Sequence, residues 1–290
     1  MLGWLDTILQ GLMLGGLYAL FATGLSLTFG VMRLVNIAHG DFSILAAYVA
    51  LVVVQWLGWS PFLALLLVVP LMAVVGYVVQ TALLNQTLGP DILPPLLVTF
   101  GMSIILQNGL MEGFSADSRG LSIGALQTAS VAIGGGVAVG VFPVITLATA
   151  IVVLGALSWL FSSTTLGRAL RATSDDQTTA QLMGIDYRHL YGIAMAISMA
   201  VVAIAGVFLA IRTTFDPSVG PARLLYAFEA VIIGGVGSLW GTLAGGMVLG
   251  VAQTVGFALS PAWGIATGHL AFLLVLLFRP NGLFPKTRDA

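Results

Sequence analysis

Between Asp41 and Asp91 this chain carries no charged residue. That interval is long enough for two segments of about 20 residues, the length that crosses a bilayer as a helix. Residues 121–167 and 189–211 are equally free of Asp, Glu, Lys and Arg. Charged residues make up only 7% of the 290-residue chain, against about 25% in soluble domains. So few charges cannot cover a globular surface, and lipid is the expected solvent. The formal net charge of -1 gives no support for nucleic acid as a partner. The absence of cysteine excludes disulfides and thiolate metal sites. His39, His189 and His269 are too scattered in sequence to form a metal-ligand motif.

Hydropathy divides the chain into about nine apolar spans, at 8–29, 42–57, 61–84, 96–111, 141–161, 190–211, 224–237, 241–259 and 264–278. The seventh ends in Gly234-Gly-Val-Gly237 and is short or broken. A broken span is tolerated at membrane depth only where protein or a cavity covers it. In the first span Gly11 and Gly15 have the spacing that lets helix backbones approach closely. Only Asp6 precedes that span's apolar core, whereas a cleavable leader needs positive charge there, so the N-terminus is expected to be a membrane span. Residues 112–140 form the longest region between spans, with alternation at Ser122, Ile123, Gln127 and Val131 that suggests short extended pieces. The intramembrane amides Gln107 and Asn108 are expected to bond a neighbouring helix.

Three polar features interrupt this pattern. The longest is 165–186, which holds Arg168, Arg171, Asp175 and Asp176. Ser174 followed by Gln177 is a capping-box pattern, with two aspartates at the positive end of the helix dipole. Gly184 is a natural stop. The pattern predicts a short helix over 175–183, too short to span, whose apolar Ala180, Leu182 and Met183 need a cover other than lipid. The second feature is Arg33, Asn36, His39 and Asp41, which precede the second span; Asn36 and His39 are candidates to line a path. The third is Glu229 within the short span. An acid at that depth is costly and is a functional candidate, and its expected structural partner is Arg223 or Arg212.

Positive residues near span ends mark the cytoplasmic side. Arg168, Arg171 and Arg188 place 165–186 inside, and Arg279, Lys286 and Arg288 place the C-terminus inside. If 224–237 completes a crossing, the parity puts the N-terminus outside. The single lysine, Lys286, follows Pro285 where a phosphate-binding loop requires glycine. ATP hydrolysis, if it drives transport, must therefore occur on another chain.

The string Asn36, Ala38, His39, Gly40, Asp41 resembles a hallmark of the branched-chain amino-acid permease family of ABC importers. So does the later series Gly167, Arg168, Arg171, Ala172, Leu182, Gly184 and Ile185, which is similar to that family's cytoplasmic coupling loop. The glycine-rich run after Glu229, with Gly241, Gly245 and Gly246, looks like a third motif. Many members carry lysine where this chain has Glu229, a departure from the family's pattern. The resemblance implies an all-α, polytopic helical bundle of the BtuC-like importer type, a single transmembrane permease domain over 1–290. It implies a non-enzymatic, cofactor-free subunit of a bacterial inner-membrane importer for branched-chain or related amino acids. The implied partners are a second homologous permease chain, two ABC ATPase subunits and a periplasmic substrate-binding protein. The ATPase-coupling residues would be Arg168, Arg171, Asp175, Asp176, Ala180, Leu182, Met183 and Gly184. The translocation path would include Asn36, His39 and Glu229. The alternative from the residues themselves is an ion-coupled transporter or channel, for which only Glu229 is a suitable mid-span group.

Overall fold

The computed structural model describes residues 2–89, 91–134 and 137–284. Lys286 and Arg288, used above to orient the C-terminus, lie outside the described residues. Among those described, eight helices are long and apolar enough to cross a membrane. They are built on α1 (Leu2–Met32), α2 (His39–Leu57), α3 (Pro61–Ala82), α4 (Leu93–Phe114), then α6, α9, α11 and α12, introduced below.

After α4 come a one-turn helix α5 (Ala125–Thr128) and a hairpin of β1 (Ser130–Gly134) with β2 (Val137–Gly140). Of the alternating residues noted in the sequence, Val131 lies in a strand, whereas Ser122, Ile123 and Gln127 do not. The spanning helix α6 (Val141–Ser163) leads into α7 (Thr165–Asp175) and α8 (Gln177–Leu182). Then follow α9 (Tyr187–Arg212), α10 (Gly220–Gly234), α11 (Leu239–Leu259) and α12 (Gly264–Phe278). The helix α10 is the short span. Its 15 residues cover about 22 Å, less than the roughly 30 Å of a hydrocarbon core.

The core forms around α1, α2 and α9, while α3, α4, α6 and α12 keep broad apolar faces outward, as lipid-facing helices do. One close seam joins α1 to α11. A Cβ at Gly15 would lie 2.5 Å from Met247 Cα, and one at Gly250 would meet Gly11 and Gly15 in return. In lipid, apolar side chains gain little by leaving acyl chains, so such small-residue contact is what holds helices together. The Gly11/Gly15 spacing is used in this way.

One helix, α2, begins inside the bundle rather than at its surface. His39, the first residue of α2, donates through Nε2 to the Phe21 carbonyl at 2.9 Å. Phe21 precedes the end of α1 at Met32 by eleven residues, or roughly 16 Å of helix. The segment 33–38 must therefore double back into the protein. It starts at Arg33, whose φ of 54° is left-handed. The start of α10 meets it there, with Gly40 packed on the Gly220 carbonyl and Gly220 on Asp41. A side chain at either glycine would separate the two helix ends.

Asn108 bonds within α4, to the Ile104 carbonyl at 2.8 Å, rather than to a neighbouring helix. Gln107 donates to Ser103 Oγ at 3.0 Å and also interacts with the Asp41 carboxyl of α2, as expected of an intramembrane amide. Ser103, one turn back, crosses to α2 as well, donating to Asp41 Oδ2 at 2.5 Å.

Candidate functional site: a short exposed helix and two buried polar clusters

The segment 165–186 folds as two helices joined by Asp176. Thr164 caps α7, accepting from Gly167 N at 3.0 Å. The helix then runs through Ser174 and Asp175, so the capping-box expectation at Ser174 is corrected. Asp176 is the cap of α8: one carboxylate oxygen accepts from the amides of Thr178 and Thr179 at 2.9 and 3.0 Å, and the other from the Thr179 hydroxyl at 2.5 Å. The Thr179 hydroxyl and these amides hold the Asp176 carboxyl below the usual aspartate range. Ser174 is used elsewhere. Its hydroxyl donates to the Gly30 carbonyl near the end of α1, at 2.8 Å.

Of the three apolar residues expected to need a cover, Ala180 already has one within its own chain and is 4% exposed. Leu182 and Met183 are 83% and 78% exposed. Arg168, Arg171, Asp175, Asp176 and Gly184 are exposed as well. Gly184 has φ +83°, and the amide of Ile185 reaches back to the Ala180 carbonyl at 3.1 Å. This is a Schellman-type end, which favours glycine at the left-handed position. Asp186 caps α9 two residues later, accepting from Arg188 N and His189 N.

Asn36, His39 and Asp41 come together in the doubled-back turn. Asn36 Oδ1 accepts from Ala38 N at 3.0 Å, fixing the turn. All three residues are buried, at 0%, 0% and 1% exposure. Each keeps one atom without a hydrogen-bond partner: Asn36 Nδ2, His39 Nδ1 and Asp41 Oδ1. Unpaired polar atoms at such depth are costly. Asp41 was not singled out for the path in the sequence, although its place in the same string was the available signal.

Glu229 is not part of this cluster. It faces α12, where His269 Nδ1 lies 2.5 Å from Glu229 Oε1. The expected arginine pairing is corrected. Arg223 stands six residues earlier on α10, a spacing that puts side chains on different helix faces, and Arg212 is exposed at the end of α9. The His269 ring stacks on Tyr226, and Tyr226 packs on Tyr18, whose hydroxyl donates to Gln253 Oε1. Glu229 Oε2 and Gln253 Nε2 remain unpartnered.

The family model described as "Branched-chain amino acid transport system / permease component" matches residues 7–278. The high-affinity branched-chain amino acid transport system permease protein BraD of Pseudomonas aeruginosa is 30% identical, over 98% of this chain and 96% of the relative. The corresponding LivH protein of Escherichia coli K12 is 28% identical, also over 98% and 96%. A probable LivH permease of Methanocaldococcus jannaschii is 28% identical over 95% of this chain and 91% of the relative. No solved structure matches. With nearly its whole length matched and eight helices able to cross a membrane, the chain is a multi-pass membrane protein that belongs to the branched-chain amino acid transport permease family.

Proposed function

We propose that residues 1–290 act as one permease domain of an inner-membrane ABC importer for branched-chain or chemically related amino acids. The relatives BraD and LivH are named for that transport. A LivM permease of the same Escherichia coli system also matches over 42% of this chain, which supports pairing with a second, homologous permease. Two ATPase subunits and a periplasmic binding protein complete the assembly in this reading.

The observation that carries the coupling role is the exposure of Leu182 and Met183 at the end of a six-residue helix outside the spans. A groove on the ATPase would cover them in the helix-in-groove manner. Asp176 fixes the start of that helix and Gly184 its exit, while Ser174 ties the preceding helix to α1. Arg168 and Asp175 stand on the neighbouring helix, where they would meet the rim of the groove. Ala180 supports the helix from within its own chain.

For the path, the same reading takes the turn of Asn36, His39 and Asp41. Two helix N-termini, those of α2 and α10, converge there, and their positive dipole ends favour a carboxylate. The free Asn36 amide would donate to that group, and the free Asp41 oxygen would face the ammonium of a zwitterion. Closure of the ATPases would move α8 and rock the bundle to open this closed turn.

The test is co-purification of the ATPase subunits with wild-type and Leu182→Glu/Met183→Glu permease at equal permease abundance. Recovery and uptake should both fall at least tenfold. Unchanged recovery and uptake would remove α8 as the docking element.

A further inference from the structure

At one end of the bundle, the ends of α1, α6 and α7 and the turn between α10 and α11 enclose a cavity of about 820 Å³. Its wall is largely apolar, with Leu27, Phe161 and Trp240 among the lining residues, and its rim carries Arg33 and Arg171. Asp175 also lines it, so the rim presents two cations and one acid. Trp240 is half-exposed, at 51%, as indoles at a membrane interface are.

We propose that this cavity binds one anionic phospholipid, its phosphate between Arg33 and Arg171 and an acyl chain along Leu27, Phe161 and Trp240. Basic pockets between transmembrane helices at the cytoplasmic surface suit such headgroups, and arginine matches phosphate oxygens in a bidentate manner.

One observation beyond the charges points to a ligand. Ser26 lines the cavity and is itself 1% exposed, yet its hydroxyl has no hydrogen-bond partner. It offers a donor to an ester or phosphate oxygen. Arg33 holds a left-handed backbone, φ 54°, a conformation disfavoured for a non-glycine residue. Glycine would remove that cost but would also remove the guanidinium from the rim. The apolar wall decides for a lipid over a free phosphate, because an inorganic anion would leave that wall against water.

The experiment counts phospholipid retained per full-length chain by native mass spectrometry, after exchange from mixed micelles containing phosphatidylglycerol and phosphatidylcholine. Wild type should retain phosphatidylglycerol in preference to phosphatidylcholine. Arg33→Gln and Arg171→Gln should each lower that retention about tenfold. Arg168→Gln removes an exposed arginine of α7 that does not line the cavity and should leave retention unchanged. The pair of rim variants guards against misfolding, since Arg171 lies in regular helix and Arg33 in the strained turn. Equal retention of the two lipids, an equal loss in Arg168→Gln, or displacement by millimolar inorganic phosphate would each overturn the proposal.

Discussion

The hydroxyl of Ser174 donates to the carbonyl of Gly30 at 2.8 Å, joining residues 144 positions apart. Gly30 lies in the last turn of α1, the helix that packs closely on α11 through Gly11 and Gly15. Ser174 lies one turn before the helix that presents Leu182 and Met183. The α7 helix is thus tied to the bundle through a directional contact as well as through the covalent link to α6.

Ser174→Ala removes that contact. The net loss in stability should be small, about 1 kcal/mol, and the permease should insert and assemble normally. Uptake per ATP hydrolysed in reconstituted transporters should drop severalfold, with ATPase recovery unaltered. An unchanged ratio would mean that α7 and α1 move together without this bond.

The α1–α11 seam gives a sharper test of packing. Gly15→Ala places a methyl group against Met247 backbone, where neither helix can yield without moving. Such overpacking costs about 1–3 kcal/mol. Gly155→Ala, on α6, meets nothing within 4 Å and should hold or raise stability. Thermal unfolding of the two variants in detergent should therefore move in opposite directions, or Gly15→Ala alone should fall.

Much of this architecture was legible because charges mark span boundaries without reference to tertiary structure. The charge-free interval between Asp41 and Asp91 holds most of α2 and all of α3, and the glycine-ended stretch at 224–237 corresponds to the short helix, though α10 starts four residues earlier, at Gly220. What escaped was set by contacts distant in sequence. Ser174-x-x-Gln177 is a valid local capping signal, but the Gly30 carbonyl competes for the same hydroxyl, and the Asp176 carboxylate is the stronger acceptor for the amides of α8. Glu229 was matched with nearby arginines, whereas its partner His269 is 40 residues away on a helix whose neighbours only the fold determines. Ala180 could not be told from Leu182 and Met183, since a two-turn helix has too few positions to define its inner face.

Asp176 predicts a pH dependence. Its carboxyl is held below the ordinary aspartate value by the Thr179 hydroxyl and the amides it caps. A folded-state value below the unfolded one means that the cap contributes fully above the unfolded value, near 3.9, and is lost as pH falls through the depressed folded value. Amide exchange in α8 should be unaffected by pH in this sense at neutrality and accelerate selectively only in acid. Asp176→Asn, which still caps but cannot titrate, should abolish the acid step while keeping the helix. Retention of the step in that variant would assign it to another group.

Gly184 carries the exit from α8 at φ +83°. Nothing lies within 4 Å of a Cβ built there, so a substitution is penalised by backbone conformation alone. Gly184→Ala should cost about 1–2 kcal/mol, and Gly184→Val more, because a β-branched residue tolerates positive φ least. Gly184→Asn, which accepts the left-handed region better, should recover most of the lost ATPase recovery and uptake. If valine and asparagine behaved alike, the turn would have no part in positioning α8.

The remaining prediction concerns which end of the bundle faces the cytoplasm. Geometry alone separates the two ends. Asp186 caps the start of α9 directly after α8, while Gln127 of α5 donates to the Ile211 carbonyl near the other end of α9. The 26 residues of α9 span about 39 Å, so Thr178 and Thr128 lie on opposite sides of a bilayer. The arginines Arg168, Arg171 and Arg188 then assign the Thr178 side to the cytoplasm. Because the chain has no cysteine, Thr178→Cys and Thr128→Cys each provide a single labelling site on an exposed residue. A membrane-impermeant maleimide added to cells with a permeabilised outer membrane should label Thr128→Cys at once. Thr178→Cys should react only after the inner membrane is opened. The reverse order would invert the bundle, place Leu182 and Met183 beyond reach of any ATPase, and remove the coupling role assigned to α8; labelling of both sites in intact cells would show that the two ends are not separated by the membrane.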